Sequence, residues 1–158
     1  MPTAKKPTKR ATTKKPTAKK ASSSGFSAAE KAAMKERAAE LKAQKAGADG
    51  EKEVLARIAG MPTFDKAIAR KVHAIVRSTA PALILRTWYG FPAYATREGK
   101  IVVFYQDAKK FGTRYGTLGF SDQAKLDAGT MWPSAYALTE ITPVVEKEIR
   151  ALVRRAVG

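Results

Sequence analysis

The stretch from Leu83 to Trp132, LILRTWYGFPAYATREGKIVVFYQDAKKFGTRYGTLGFSDQAKLDAGTMW, constrains the fold of this chain more than any other part. It holds both tryptophans and every tyrosine except Tyr136. Aromatic and β-branched residues broken by Gly, Pro and Asp are what half-buried strands with tight connections require. Leu83–Tyr89 and Pro92–Thr96 read as extended segments around Gly90, with Pro92 favouring an edge or a bend. Arg97–Lys100 is the clearest hairpin turn, and Ile101–Gln106 is the most apolar strand. Alternation puts Val102, Phe104 and Gln106 on one face of that strand, and Ile101, Val103 and Tyr105 on the other. Asp107–Gly112 reads as a basic connection, Thr113–Gly119 as a returning strand, and Asp122–Ala128 as a short helix capped by Ser121–Asp122.

Helical patterns flank this stretch. Ser27 and Glu30 have capping-box spacing ahead of a run of strong helix formers over 27–46. The apolar stripe there is thin, carried by Ala33, Met34, Ala38 and Leu41, and Gly47 and Gly50 supply a C-cap and turn. Glu51–Ile58 predicts a short helix with Val54, Leu55 and Ile58 on one face, ended by Gly60 and Pro62. A second helix follows to about Ser78, with Ile68, Val72, Ile75 and Val76 at helical spacing and Pro81 as its stop. Thr142–Val157 predicts a closing helix with Pro143 in its first turn and a stripe of Ile141, Val144, Val145, Ile149, Leu152 and Val153. The expected fold is therefore α+β: a small antiparallel sheet of three to five strands packed against N-terminal and C-terminal helices. The expected divisions are a disordered tail at 1–25, a helix and linker at 26–50, and the α+β domain at 51–158.

The tail carries the charge logic. The chain has a formal net charge of +16, of which residues 1–52 contribute +9 (14 Lys/Arg against 5 Asp/Glu). Residues 1–25 hold Lys5, Lys6, Lys9, Arg10, Lys14, Lys15, Lys19 and Lys20 with no acidic residue and no large apolar residue beyond Met1. Repeated T-x-K-K-P segments and like-charge repulsion predict an extended, disordered arm. Those eight cations are the candidate nucleic-acid contacts, and the expected partner is DNA or RNA bound weakly, without sequence preference and in a salt-dependent way. The composition resembles the lysine-, proline- and alanine-rich tails of linker histones and some bacterial nucleoid proteins. No apolar run approaches the roughly 20 residues needed to span a bilayer. The N-terminus lacks the apolar segment of a secretory signal. A cytoplasmic, soluble protein, with nucleoid association as a variant, is the expectation.

Chemistry is less legible. The chain has no cysteine and one histidine. His73 has Ala69, Arg70, Val76 and Arg77 at helical contact spacing, so it reads as a boundary residue rather than a metal ligand. No serine lies in a nucleophile elbow, and Gly112, Gly116 and Gly119 do not form a phosphate loop. No catalytic residue, metal ligand or cofactor is expected. The better candidate is a ligand cleft of Trp88, Tyr89, Tyr94, Tyr105, Tyr115 and Trp132, rimmed by Lys109, Lys110 and Arg114. Aromatic walls with a few cations suit a small planar or anionic ligand, or one or two unpaired nucleotides. The alternative is that the rings are core.

Several blocks in order, W-Y-G-F-P-A-Y (Trp88–Tyr94), G-K-I-V-V-F (Gly99–Phe104), K-F-G-T-R-Y (Lys110–Tyr115), L-G-F-S-D (Leu118–Asp122) and L-D-A-G-T-M-W-P (Leu126–Pro133), resemble the uncharacterised YdhG-like domain family of bacteria. The likeness spans about Glu51–Val157. It implies an α+β domain with an antiparallel sheet packed on helices. Some relatives are described as frataxin-like iron chaperones, so the resemblance also implies an iron- or small-ligand carrier as an alternative function. Iron carriage calls for clustered carboxylates. Here Asp65, Glu98, Asp107, Asp122, Asp127 and Glu140 are scattered along the sequence.

Overall fold

The computed structural model describes residues 25–45 and 50–158. The eight candidate cations of the tail, and Gly47, lie outside them.

Ser27 Oγ accepts a hydrogen bond from the Glu30 amide at 3.1 Å, opening α1 (Ala28–Lys45). α2 (Gly50–Ala59) and α3 (Thr63–Thr79) follow. Gly50 does not form a turn but starts α2, where a Cβ would collide with the carbonyl of Leu85. α2 buries Val54 and Ile58, whereas Leu55, expected on the same face, is exposed. α3 buries Ile68, Val72, Ile75 and Val76 as its periodicity requires.

Five strands form an antiparallel sheet in the order β1 (Ile84–Trp88), β2 (Phe91–Ala95), β3 (Ile101–Gln106), β4 (Gly116–Phe120) and β5 (Ala135–Leu138). The Arg97–Lys100 turn is closed by the Thr96 amide on the Lys100 carbonyl at 2.8 Å, with Gly99 at φ 83°. The Asp107–Gly112 connection contains a helical turn, α4 (Ala108–Phe111), which delays the start of β4 to Gly116. Residues 122–128 are not a helix. Leu126 and Ala124 are buried there, and Lys125 donates its amide to the Ala156 carbonyl at 2.9 Å, so the segment is held by the last helix and forms none of its own. Five strands lie within the expected three to five, but the segment forming β5 was not named: four residues with one buried side chain, Leu138, give little strand signal.

α5 (Pro143–Val157) is capped by Thr142, whose Oγ1 accepts from the Val145 amide at 3.3 Å. Ile149, Val153 and Ala156 are buried on it, Val145 and Leu152 partly so, and Val144 points to solvent. Arg150 bonds Glu146 within α5 and reaches Ser78 at 2.7 Å and Thr79 at 3.1 Å, tying α5 to α3. The main core lies between one face of the sheet (Leu85, Tyr94, Val103, Tyr105, Leu118) and α2, α3 and α5. Each Val, Leu or Ile enclosed there contributes about 1.5–3 kcal/mol relative to exposure. α1 packs separately, on β1 and α4. Among the described residues, no helix is long and apolar enough to cross a membrane.

Candidate functional site

Residues paired across antiparallel strands share a face, so register sorts the aromatic side chains into two groups. Tyr94 pairs with Val103 and Tyr105 with Leu118, and both rings are fully buried in the main core. They do not line a cleft with Trp88, because alternation turns them to the opposite side. The outer face carries a second aromatic group. Trp88 pairs with Phe91, and Ala93 with Phe104. The Trp88 ring lies edge-on to Phe91 at 5.7 Å and to Phe104 at 5.2 Å, and Phe91 meets Phe111 of α4 at 6.0 Å. Gly119 opposite Phe104 leaves room for that ring, which a Cβ would strike.

α1 crosses this outer group without sealing it. Between them is a cleft of about 370 Å³. Phe26, Glu30, Ala33 and Met34 form its outer wall, and Trp88, Tyr89, Phe91, Phe104, Gln106 and Phe111 its floor. Ala33 is buried, while Met34 remains 42 % exposed.

The helix is held there mainly by polar contacts. Tyr89 and Gly90 have φ of 50° and 79°, the signature of a two-residue type I′ turn between β1 and β2. The Glu40 carboxylate accepts from the Tyr89 amide at 2.9 Å and from the Gly90 amide at 2.7 Å. Arg57 of α2 donates to the Gly90 carbonyl at 2.8 Å, and Lys110 of α4 to the Tyr89 carbonyl at 2.9 Å. Glu36 completes the clasp by pairing with both Arg57 and Lys110. Every backbone polar group of the turn is thus bound by a side chain from another element.

A buried acidic pair lies beside it. Asp65 is almost fully buried and accepts from the Tyr105 hydroxyl at 3.0 Å and the amides of Ala108 at 2.7 Å and Lys109 at 3.1 Å, fixing α4. Burial raises the Tyr105 hydroxyl well above its usual range, reinforced by Asp65. Asp107 is also buried, and its Oδ1 has no hydrogen-bond partner among the described residues. Burial pushes its carboxyl up and Asp65 adds to this, while its own backbone, Lys110 and Arg57 pull the other way. His73 Nδ1 lies 3.1 Å from the Tyr94 hydroxyl. Burial, then Arg77, holds the imidazole below its usual value against the pull of Glu51. Burial likewise raises the Tyr94 hydroxyl.

The expected rim disperses. Lys110 belongs to the clasp, Lys109 is exposed on α4, and Arg114 stacks over Tyr115 at 5.3 Å away from the cleft walls. Trp132 is in the β4–β5 connection, 37 % exposed. Of the expected set, only Trp88 and Tyr89 line the cleft. Phe26, Met34, Phe91, Phe104, Gln106 and Phe111 were not singled out as its lining. The signal for two of them is the period-2 alternation that sets Phe104 and Gln106 opposite Tyr105. Among the described residues, no group of three or more His, Asp or Glu side chains is placed to hold a metal ion. Comparisons with protein families, curated proteins and solved structures return no match.

Proposed function

We propose that the protein is a non-enzymatic binding module whose polycationic N-terminal segment holds nucleic acid weakly, nonspecifically and with steep salt dependence. The observation that carries this reading is charge placement. Residues 1–25 carry eight Lys/Arg and no acid, whereas four cations of the folded part, Arg57, Lys71, Lys110 and Arg150, are engaged by internal partners. Arg57 and Lys110 bind Glu36 and turn carbonyls, Lys71 binds the Ile141 carbonyl at 3.0 Å, and Arg150 binds Glu146. Membership of the YdhG-like family is part of the proposal. It is supported by the ordered sequence blocks, which imply an antiparallel sheet on helices. A cytoplasmic, nucleoid-associated location fits the same charge argument.

The test is a salt titration of DNA binding by the full chain and by a version starting at Phe26. Each phosphate neutralised adds about 0.9 to the slope of log affinity against log salt, so loss of eight cations should lower the slope by up to about 7. Equal binding and equal slopes in the two proteins would move the contact to the folded surface and overturn the proposal.

The cleft beneath α1 favours a second reading, a small-ligand carrier acting through the folded domain. Its iron-carrying form gains no support from the carboxylates, since Glu36 and Glu40 serve the clasp and Asp65 serves Tyr105 and α4.

A further inference from the structure

We infer that α1 is a releasable cover, which undocks as a unit while the rest of the domain stays folded and so uncovers the aromatic outer face of the sheet.

The first ground is what holds the helix. Among the described side chains of α1, only Ala33 and Glu40 are buried. By contrast α3 buries Ile68, Val72, Ile75 and Val76, and α5 buries Ile149, Val153 and Ala156. Apolar burial therefore fixes those two helices, whereas it supplies α1 with little more than one methyl group. The remainder comes from the clasp. Glu40 takes the Tyr89 and Gly90 amides. Glu36 pairs with Arg57 at 3.0 Å and with Lys110, and the Arg37 guanidinium lies 5.9 Å from the Tyr89 ring centre. These contacts all fall within Glu36–Glu40, so the helix is pinned at one place.

The second ground is what lies ahead of that place. There the chain runs over the cleft of about 370 Å³, with Phe26 54 % and Met34 42 % exposed. Unfilled space on that scale leaves the first turns of α1 without partner atoms. A free helix of 18 residues is marginal in water, so α1 has no intrinsic stability to substitute for the clasp.

The third ground is that solvent can weaken the clasp selectively. The Glu36 and Arg57 side chains are partly exposed. The screening length falls from about 10 Å at 0.1 M salt to about 3 Å at 1 M. Partly exposed ion pairs lose attraction over that range, while the apolar contacts that seat α3 and α5 do not. Release leaves Arg57 and Lys110 without Glu36, beside the uncovered rings. An anion can pair with these two cations only by displacing Glu36, which makes α1 an internal competitor for them.

The experiment follows amide hydrogen exchange and acrylamide quenching of Trp88 in a Trp132→Phe version of the full chain, from 0.1 to 1 M sodium chloride. Amides of α1 should exchange about tenfold faster at 1 M, the scale of two weakened ion pairs. Quenching of Trp88 should rise with them, and amides of α3 and α5 should hold their rates. Glu36→Gln, at a partly exposed position, should speed α1 exchange at 0.1 M and remove most of its salt response. Exchange of α1 that ignores salt, or that moves in step with α3 and α5, overturns the inference, since the helix then opens only with the whole fold. Faster α1 exchange with unchanged Trp88 quenching also overturns it, because a frayed helix still covers the face. A salt response kept in full by Glu36→Gln overturns the clasp as the part released.

Discussion

Glu40 and Gly90, 50 residues apart in sequence, are joined by a 2.7 Å hydrogen bond from the Gly90 amide to the Glu40 carboxylate. The carboxylate is 8 % exposed and takes the Tyr89 amide as well. Charge-assisted bonds of this kind are roughly twice as strong as neutral ones. Glu40→Ala should lower stability by about 2 kcal/mol. It should also raise hydrogen exchange in α1 well beyond that of α3 and α5. An unchanged exchange rate in α1 would show that Ala33 and its neighbours hold the helix without the clasp.

Gly90→Ala is expected to be worse than an ordinary surface change. The position has φ 79°, and a Cβ would run into Arg57 and Lys110, which bind the turn, and into Glu36, which pairs with both. A penalty of more than about 1 kcal/mol follows from the left-handed backbone alone. A chemical-denaturation midpoint equal to that of the parent protein would contradict this.

The partial burial of His73 beside Arg77 gives stability a pH dependence. His73 is held below its usual value of about 6.5 in the folded chain. The unfolded chain therefore takes up the proton first. Stability is fully present above about pH 6.5 and falls as pH drops below it. Thermal melts of His73→Gln should show a shallower loss over that window than the parent protein. Identical slopes would remove His73 as the cause.

Asp107 works in the opposite sense. Its folded carboxyl is raised, so the fold carries a penalty once the group is ionised, and that penalty is absent below the usual value of about 3.9. Asp107→Asn should stabilise the protein by about 1 kcal/mol near neutral pH, the scale for a buried unpaired polar group. The advantage should vanish near pH 3. A destabilised Asp107→Asn at neutral pH would mean that the charge is needed by Arg57 and Lys110.

What the sequence disclosed divides along physical lines. The helices α1, α3 and α5 were readable because capping residues and 3.6-residue periodicity are local signals. The strands β1 to β3 were readable because Gly90 and the Arg97–Lys100 turn punctuate an aromatic, β-branched run. β5 was hidden because Ala135 and Ala137 have no strand signature and Tyr136 packs on Phe120 only once the sheet exists. The cleft was half legible. The aromatic wealth of 83–132 was visible, but only strand register decides that Tyr94 and Tyr105 turn inward while Trp88 and Phe104 turn outward. Glu40 was not singled out, because nothing local indicates that a turn 50 residues away will supply its partners.

Because each strand pairs with its immediate predecessor in the chain, the sheet can grow by successive hairpins without waiting for a distant segment. Chains rich in such local pairings close their loops at low entropic cost and fold comparatively fast. One long-range step is the seating of α5 on α3, which links Arg150 to Ser78 across 72 residues. The expected kinetic picture is a meander formed early and a C-terminal helix that locks late. In stopped-flow refolding, Val153→Ala should accelerate unfolding far more than it slows folding, and the reverse partition would place α5 in the nucleus.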